Sequence, residues 1–277
     1  MSTIIFPITP ISIDGNVKGK AGDVVKATSG ETIAVTDPAS RGADAVVIEA
    51  PDSGIIEVVS GTVDANVIIT GSGTAAVAIG TGTSGGDAVS AAGSTFQVED
   101  SYKGNVLVNL NGAITSGGSV DTTTETLGGG TIADNLGTVP SGGIDFYINT
   151  GSGNDQVQGS AGNDFIRLGA GDDAFNAGAG DDIVRMGTGN DSGTLGDGND
   201  IVYLTVDQLQ GINAKAITDF DVNGDDKIQI DADLKGLVDI EGVGTNGIVI
   251  SLSGAQTGET VIVSEGKSID EDDIEFV

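Results

Sequence analysis

The sequence contains no His, no Cys and no Trp. Without them there is no zinc site of His or Cys, no Ser-His-Asp or Cys-His nucleophile, no HExxH metalloprotease helix and no disulfide. Aromatic residues are few, three Tyr and seven Phe, and so are bases: eleven Lys+Arg stand against 41 Asp+Glu, a formal net charge of -30. A chain of that charge repels nucleic-acid phosphates and anionic lipid headgroups, and its natural counter-charge is a metal cation. No apolar run approaches the ~20 residues of a membrane span, so neither nucleic acid nor direct membrane insertion is expected. The opening segment MSTIIFPITP lacks a positively charged start and breaks its apolar run at Pro7, which reads against a secretory leader of the usual type.

What is abundant is glycine, 46 of 277 residues, more than twice the usual ~7%. With 38% hydrophobic content this predicts thin cores of Val, Ile, Leu and Ala in one large or two to three small domains. Between 151 and 204 the glycines keep time. The segment reads in nines as GSGNDQVQG, SAGNDFIRL, GAGDDAFNA, GAGDDIVRM, GTGNDSGTL and GDGNDIVYL. Gly153, Gly162, Gly171, Gly180, Gly189 and Gly198 recur every nine residues, as do Asp155, Asp164, Asp173, Asp182, Asp191 and Asp200. Two residues beyond each Asp stands Val157, Ile166, Phe175, Val184, Gly193 or Val202, and two further on Gly159, Leu168, Ala177, Met186, Leu195 or Leu204. Side chains alternate along a strand, so both positions face inward. The position between them, Gln158, Arg167, Asn176, Arg185, Thr194 or Tyr203, is able to face water. Each nonapeptide is thus one turn and one short strand, and two make a flat coil around a narrow apolar interior.

This segment resembles the RTX family of calcium-binding nonapeptide proteins, whose consensus is G-G-x-G-x-D-x-U-x with U apolar. One departure is systematic. The first Gly of the consensus is replaced by Thr150, Leu168, Ala177, Met186 and Leu195 and survives only as Gly159, while the second is Ser160 in one copy. Calcium takes six to eight oxygens from carboxylates and carbonyls. Glycine at alternate positions (Gly151, Gly169, Gly178, Gly187 and Gly196 besides the six above) lets the backbone turn its carbonyls into one concavity that the Asp closes. Alternate repeats stack, placing Asp155, Asp173 and Asp191 in one column and Asp164, Asp182 and Asp200 in the other. The resemblance implies an ion between the loops of repeats n and n+2, at Asp155/Asp173, Asp173/Asp191, Asp164/Asp182 and Asp182/Asp200. Asp172, Asp181 and Asp197 add to the local field. ITDFDVNGDDKIQID, 217 to 231, looks like the segment that follows such repeats. Its Asp221 to Lys227 stretch begins like an EF-hand loop but has Asp226 at the sixth position and Ala232 at the twelfth, so it reads as a turn between strands.

The expected fold is all-β: an N-terminal β domain, either sandwich or irregular solenoid, then a calcium-binding parallel β-roll and a C-terminal β cap. β-branched runs at Thr32-Val35, Ala45-Ile48, Ile55-Val59, Val67-Thr70, Ala75-Ile79 and Val106-Leu110 mark strands. Ser116 to Gly143 reads as a long loop or low-complexity connector. Runs at Lys227-Ile230, Leu237-Ile240, Gly247-Leu252 and Thr260-Val263 look like strands closing the open end. The boundaries expected are 1–20 for an arm, 21–140 for the β domain, 141–204 for the roll and 205–277 for the cap. Ile4 to Ile13, with five Ile and Phe6, either pairs with a neighbouring subunit by strand addition or forms a first strand of its own sheet.

Catalytic signatures are thin. Gly82-Thr83-Ser84-Gly85-Gly86 matches GxSxG without a His to activate it, and Asp52-Ser53-Gly54 and Asp191-Ser192-Gly193 only mimic halves of an aspartic dyad. A carboxylate-pair glycosidase needs no His, yet Phe96 and Tyr102 are the only aromatics in 21–140, too few for a sugar platform. The reading is therefore a non-enzymatic, secreted calcium protein of a surface layer, filament or matrix that partners with itself; the competing reading is a calcium-dependent adhesin. The resemblance further implies a type I exporter as partner, reading an uncleaved carboxy-terminal signal. Ile269 to Val277, I-D-E-D-D-I-E-F-V, looks like that signal and equally like an acidic last strand.

Overall fold

A computed structural model describes residues 12–13, 16–19, 24–30, 32–35, 46–60, 66–79, 94–99, 102–110, 120, 126–127, 130–131, 140–209, 212–222, 225–253, 259–264 and 267–277. Among them there is no α-helix, only strands and three short 3-10 turns. Two large sheets, of thirteen and ten strands, face each other, and from Asn16–Gly19 to Lys227–Ile230 consecutive strands of the ladder alternate between them. The large-sheet ladders over this stretch are parallel, for example Thr32↔Glu57, Ala78↔Leu107 and Leu107↔Gln156. A chain that visits two facing sheets in turn and always runs the same way in each is a solenoid, which decides between the two architectures left open for 21–140 as far as its described residues go. Its coils are irregular there. The partners Thr32↔Glu57, Glu57↔Ala78 and Ala78↔Leu107 lie 25, 21 and 29 residues apart, whereas Gln156↔Ala174 and Ala174↔Ser192 both lie 18 apart.

The six expected strands before the repeats are found at Thr32–Val35, Val46–Glu49, Ile55–Ser60, Asn66–Thr70, Ala76–Ile79 and Val106–Asn109. Their β-branched residues alternate inward: Ile33, Ile48, Ile56, Val58, Val67, Ile69, Val77 and Ile79 are all at most 1% exposed. Four further strands, Asn16–Gly19, Val24–Lys26, Ser94–Val98 and Phe146–Asn149, lack a β-branched run long enough to announce them. Phe96 and Tyr102 fill this core, so neither offers a face to a sugar. Inside the repeats, Gly193 lies opposite Phe175 in the parallel ladder. A Cβ on Gly193 would sit 2.5 Å from the Phe175 ring, so the missing side chain makes room for the ring one coil away.

One outward column departs from the expected polar face. Tyr147, Phe165 and Ile183 stack on the outside of the ten-stranded sheet and are buried with Val120, Ile144 and Tyr203 in a second apolar cluster. The Tyr147 and Phe165 rings are 5.3 Å apart, and the Val120 N–H donates to the Ile144 carbonyl (2.7 Å). Tyr203, at a position able to face water, is therefore covered. The residues responsible are Phe165 and Ile183, apolar where the repeat pattern allows any residue.

At the carboxyl end the thirteen-stranded sheet turns antiparallel through Glu259–Ser264, Gly247–Leu252 and Val238–Glu241. Ile274–Phe276 closes the ten-stranded sheet as a parallel edge strand on Lys227–Ile230. At the amino end, Ser12–Ile13 pairs antiparallel with Asn16 and Val17; residues 1–11 and the Gly82–Gly86 match lie outside the described residues. Asp52-Ser53-Gly54 forms a corner turn, and Asp191-Ser192-Gly193 lies within a strand, so each triplet has a backbone role.

Candidate metal centre

The repeats place their glycines at the two edges of the flattened coil. Gly151, Gly169, Gly171, Gly178, Gly180, Gly187, Gly189, Gly196 and Gly198 have positive φ; Gly153 and Gly162 do not, and serve as close-approach points. A Cβ on Gly171 would fall 1.8 Å from the Gly153 carbonyl oxygen. The turns therefore stack carbonyl on Cα.

Each repeat aspartate is buried at these edges, none more than 2% exposed. The four expected pairs are neighbours, joined by a common bond. The N–H of Asp155 donates to Asp173 Oδ1 (2.8 Å), Asp173 to Asp191 (3.0 Å), Asp164 to Asp182 (2.7 Å) and Asp182 to Asp200 (2.8 Å). Asp155 Oδ1 itself accepts from Val106 N–H (2.7 Å). A second ladder runs the other way through the preceding residue: Asp172 N–H donates to Asn154 Oδ1 (3.1 Å), Asn190 to Asp172 (2.9 Å), Asp181 to Asn163 (2.8 Å) and Asn199 to Asp181 (3.0 Å). Asp172 and Asp181 thus have a defined structural task beyond adding charge.

The second carboxylate oxygen decides what the columns can hold. In Asp155, Asp173, Asp182 and Asp200 Oδ2 is buried and has no hydrogen-bond partner. A buried ionised oxygen without donor or cation costs several kcal/mol, so these four positions call for a cation. Among the described residues no three carboxylates converge on one point. Each turn brings one carboxylate and its carbonyls, the mixed hard-oxygen set that suits calcium and not a softer metal. Burial pushes Asp155 and Asp200 up to about 7 and Asp173 up to about 8, against the opposing backbone N–H bonds, with neighbouring carboxylates adding to the rise in Asp173 and Asp200. Burial likewise raises Asp164, Asp182 and Asp191.

These shifts fix a pH dependence. Asp155, Asp173 and Asp200 hold protons in the metal-free fold that the unfolded chain releases near pH 4. Their contribution to metal-free stability is full below that value and is lost as pH rises through about 7 to 8. Calcium requires the ionised form, so its affinity rises over the same window. In chelator, urea unfolding followed by circular dichroism is expected to show a lower midpoint at pH 8 than at pH 5, with the order reversed in millimolar calcium. Equal midpoints in chelator would refute the assignment of buried acids.

Three residues outside the nine-residue rhythm complete the site. Asp226 continues the even column, its Oδ1 accepting from Asp200 N–H (3.0 Å) and its Oδ2 from Asp221 N–H (2.6 Å), and burial raises its carboxyl too. Asp219 caps the last repeat by accepting from Leu195 (2.9 Å) and Gly196 (3.0 Å). Lys215 stands in register with Asp191. The steps from Asp191 to Lys215 and from Asp200 to Asp226 are 24 and 26 residues instead of 18; a search at a fixed period passes over both.

A parallel solenoid whose glycine turns stack one buried aspartate per coil edge is a β-roll built for a divalent cation. The model of the RTX calcium-binding nonapeptide repeat matches residues 149–184 in four copies. Residues 149–184 thus carry RTX nonapeptide repeats, which are calcium-binding motifs of a kind that points to a protein working outside the cell. A search of curated proteins finds no match to the chain. No helix among the described residues is long and apolar enough to cross a membrane.

Proposed function

We propose that this is a non-enzymatic, secreted structural protein whose roll is completed by calcium outside the cell and which then assembles with copies of itself into a surface layer, filament or matrix. The four unpartnered carboxylate oxygens in the aspartate columns carry the reading: they make the fold's completion depend on a cation that is scarce in cytosol and plentiful outside. Self-assembly is supported by the two long sheets, whose terminal strands present ladder edges among the described residues, and by the lack of His- or Cys-based chemistry. Export by a type I machine reading Ile269 to Val277 fits the same route; in the fold that stretch carries the edge strand Ile274–Phe276.

A second reading, a calcium-dependent adhesin, is favoured by one feature. A cleft of about 280 Å³ is lined by Lys103, Ser152, Arg167 and Thr188, a basic spot on an acidic protein. Light scattering of the purified chain on adding calcium separates the two. Structural assembly predicts concentration-dependent growth of particle mass; a monomer that instead binds a surface saturably would replace it with the adhesin.

A further inference from the structure

The odd and even columns end differently. In the even column the coil after Asp200 supplies another acid, Asp226. In the odd column the coil after Asp191 supplies Lys215, on the strand Ile212–Ile217, directly opposite Asp191 in the parallel ladder. Both side chains are fully buried. The Lys215 ammonium donates to Asp191 Oδ2 and to the Gly189 carbonyl (2.9 Å). In Asp155, Asp173, Asp182 and Asp200 the corresponding oxygen is the one without a partner.

We propose that Lys215 is a built-in substitute for calcium at the Asp191 turn. This rests on the calcium reading of the columns. An ammonium is a compact point charge with three donors and no acceptor, so it can meet a carboxylate oxygen and a turn carbonyl as a cation would. The match is to the position and sign of charge that the other turns lack. Asp164 is closed by a different device: Ser160 donates to its two oxygens through N–H (2.6 Å) and hydroxyl (2.9 Å). Of the six repeat aspartates, two are thus satisfied by the chain itself and four await an ion. The Asp191 turn is then held whether or not calcium is present, and it is continuous with the strands Glu259–Ser264 and Gly247–Leu252. The carboxyl-terminal end of the odd column becomes a calcium-independent seat on which the remaining turns are laid as ions arrive.

The test compares calcium stoichiometry of the full chain, by equilibrium dialysis with radioactive calcium, for wild type, Lys215→Arg, Lys215→Met and Lys215→Asp. Met and Asp are expected to bind one ion more than wild type, and Arg the same number. Hydrogen exchange in chelator is the second readout. Amides of Asp191 to Gly193 are expected to be protected in wild type well beyond those of Asp155 to Val157, and to lose that protection in Lys215→Met until calcium is added. Unchanged stoichiometry in folded Met and Asp variants overturns the substitute. If those variants do not fold even in calcium, the wild-type exchange decides: equal protection of the two segments in chelator overturns it. A wild type that binds no calcium overturns the reading of the columns instead, a result distinct from either.

Discussion

Removing calcium is expected to unfold the repeat region, with most of its sheet signal in circular dichroism lost in excess chelator at pH 8 and regained on adding millimolar calcium. At 10 mM calcium, extracellular-type sites of about 0.1–1 mM affinity each contribute roughly 1.4–2.7 kcal/mol. Four such positions, one for each unpartnered oxygen, sum to roughly 6–11 kcal/mol. That is as large as the whole stability of an ordinary domain, about 5–15 kcal/mol. The opposing term is intrinsic: carboxylates stack one strand spacing apart, about 5 Å, where like charges repel by several kcal/mol near a protein surface. The strands before the repeats carry a core of Ile and Val with no such column and should persist, so the loss is partial. Sheet content indifferent to chelator would remove the central role of the metal.

The Gly189→Ala substitution is expected to be among the most damaging single-methyl changes in the repeats. Gly189 has φ +120°, and its added Cβ would sit 1.9 Å from the Gly171 carbonyl oxygen. Backbone strain of about 1–3 kcal/mol adds to overpacking of similar size. The neighbour is backbone and cannot swing aside, so the coil spacing must open at a calcium-binding edge. A loss of roughly 3–5 kcal/mol corresponds to a melting temperature roughly 10–20 °C lower in saturating calcium. Gly236→Ala is the control. Its φ is +79° with nothing within 4 Å of the added Cβ, so only backbone strain remains, about 1–2 kcal/mol. Comparable melting shifts for the two variants would show that close stacking is not what the repeat glycines are for.

The repeat region was legible in the sequence because its register is periodic. A fixed step of 18 residues puts Asp on Asp and Val157 on Phe175, and any reader of the spacing recovers the columns. The strands before it were legible singly, through β-branched runs, but their order was not. Coils of 25, 21 and 29 residues carry no repeated word, so nothing local distinguishes a sandwich from a solenoid. The same reason hid Asp226 and Lys215: each takes its place by register after an insertion, and register is a property of the sheet. Tyr147, Phe165 and Ile183 were hidden differently. Each reads as an unremarkable outward residue alone, and only stacking makes them a stripe.

The buried carboxylate ladder also gives the molecule a direction. Inside the repeats Asp173, Asp182, Asp191 and Asp200 each accept from the turn 18 residues before them. The opposing ladder through Asp172 is exposed at the residues it joins, so its bonds exchange readily with water and weigh less. A chain lengthening toward its carboxyl end therefore always finishes on a turn whose N–H is still waiting for an acceptor. A chain that seats its carboxyl end first offers each newcomer a carboxylate already in place. Growth from the carboxyl side leaves a carboxylate open at the tip, and growth from the amino side leaves an N–H.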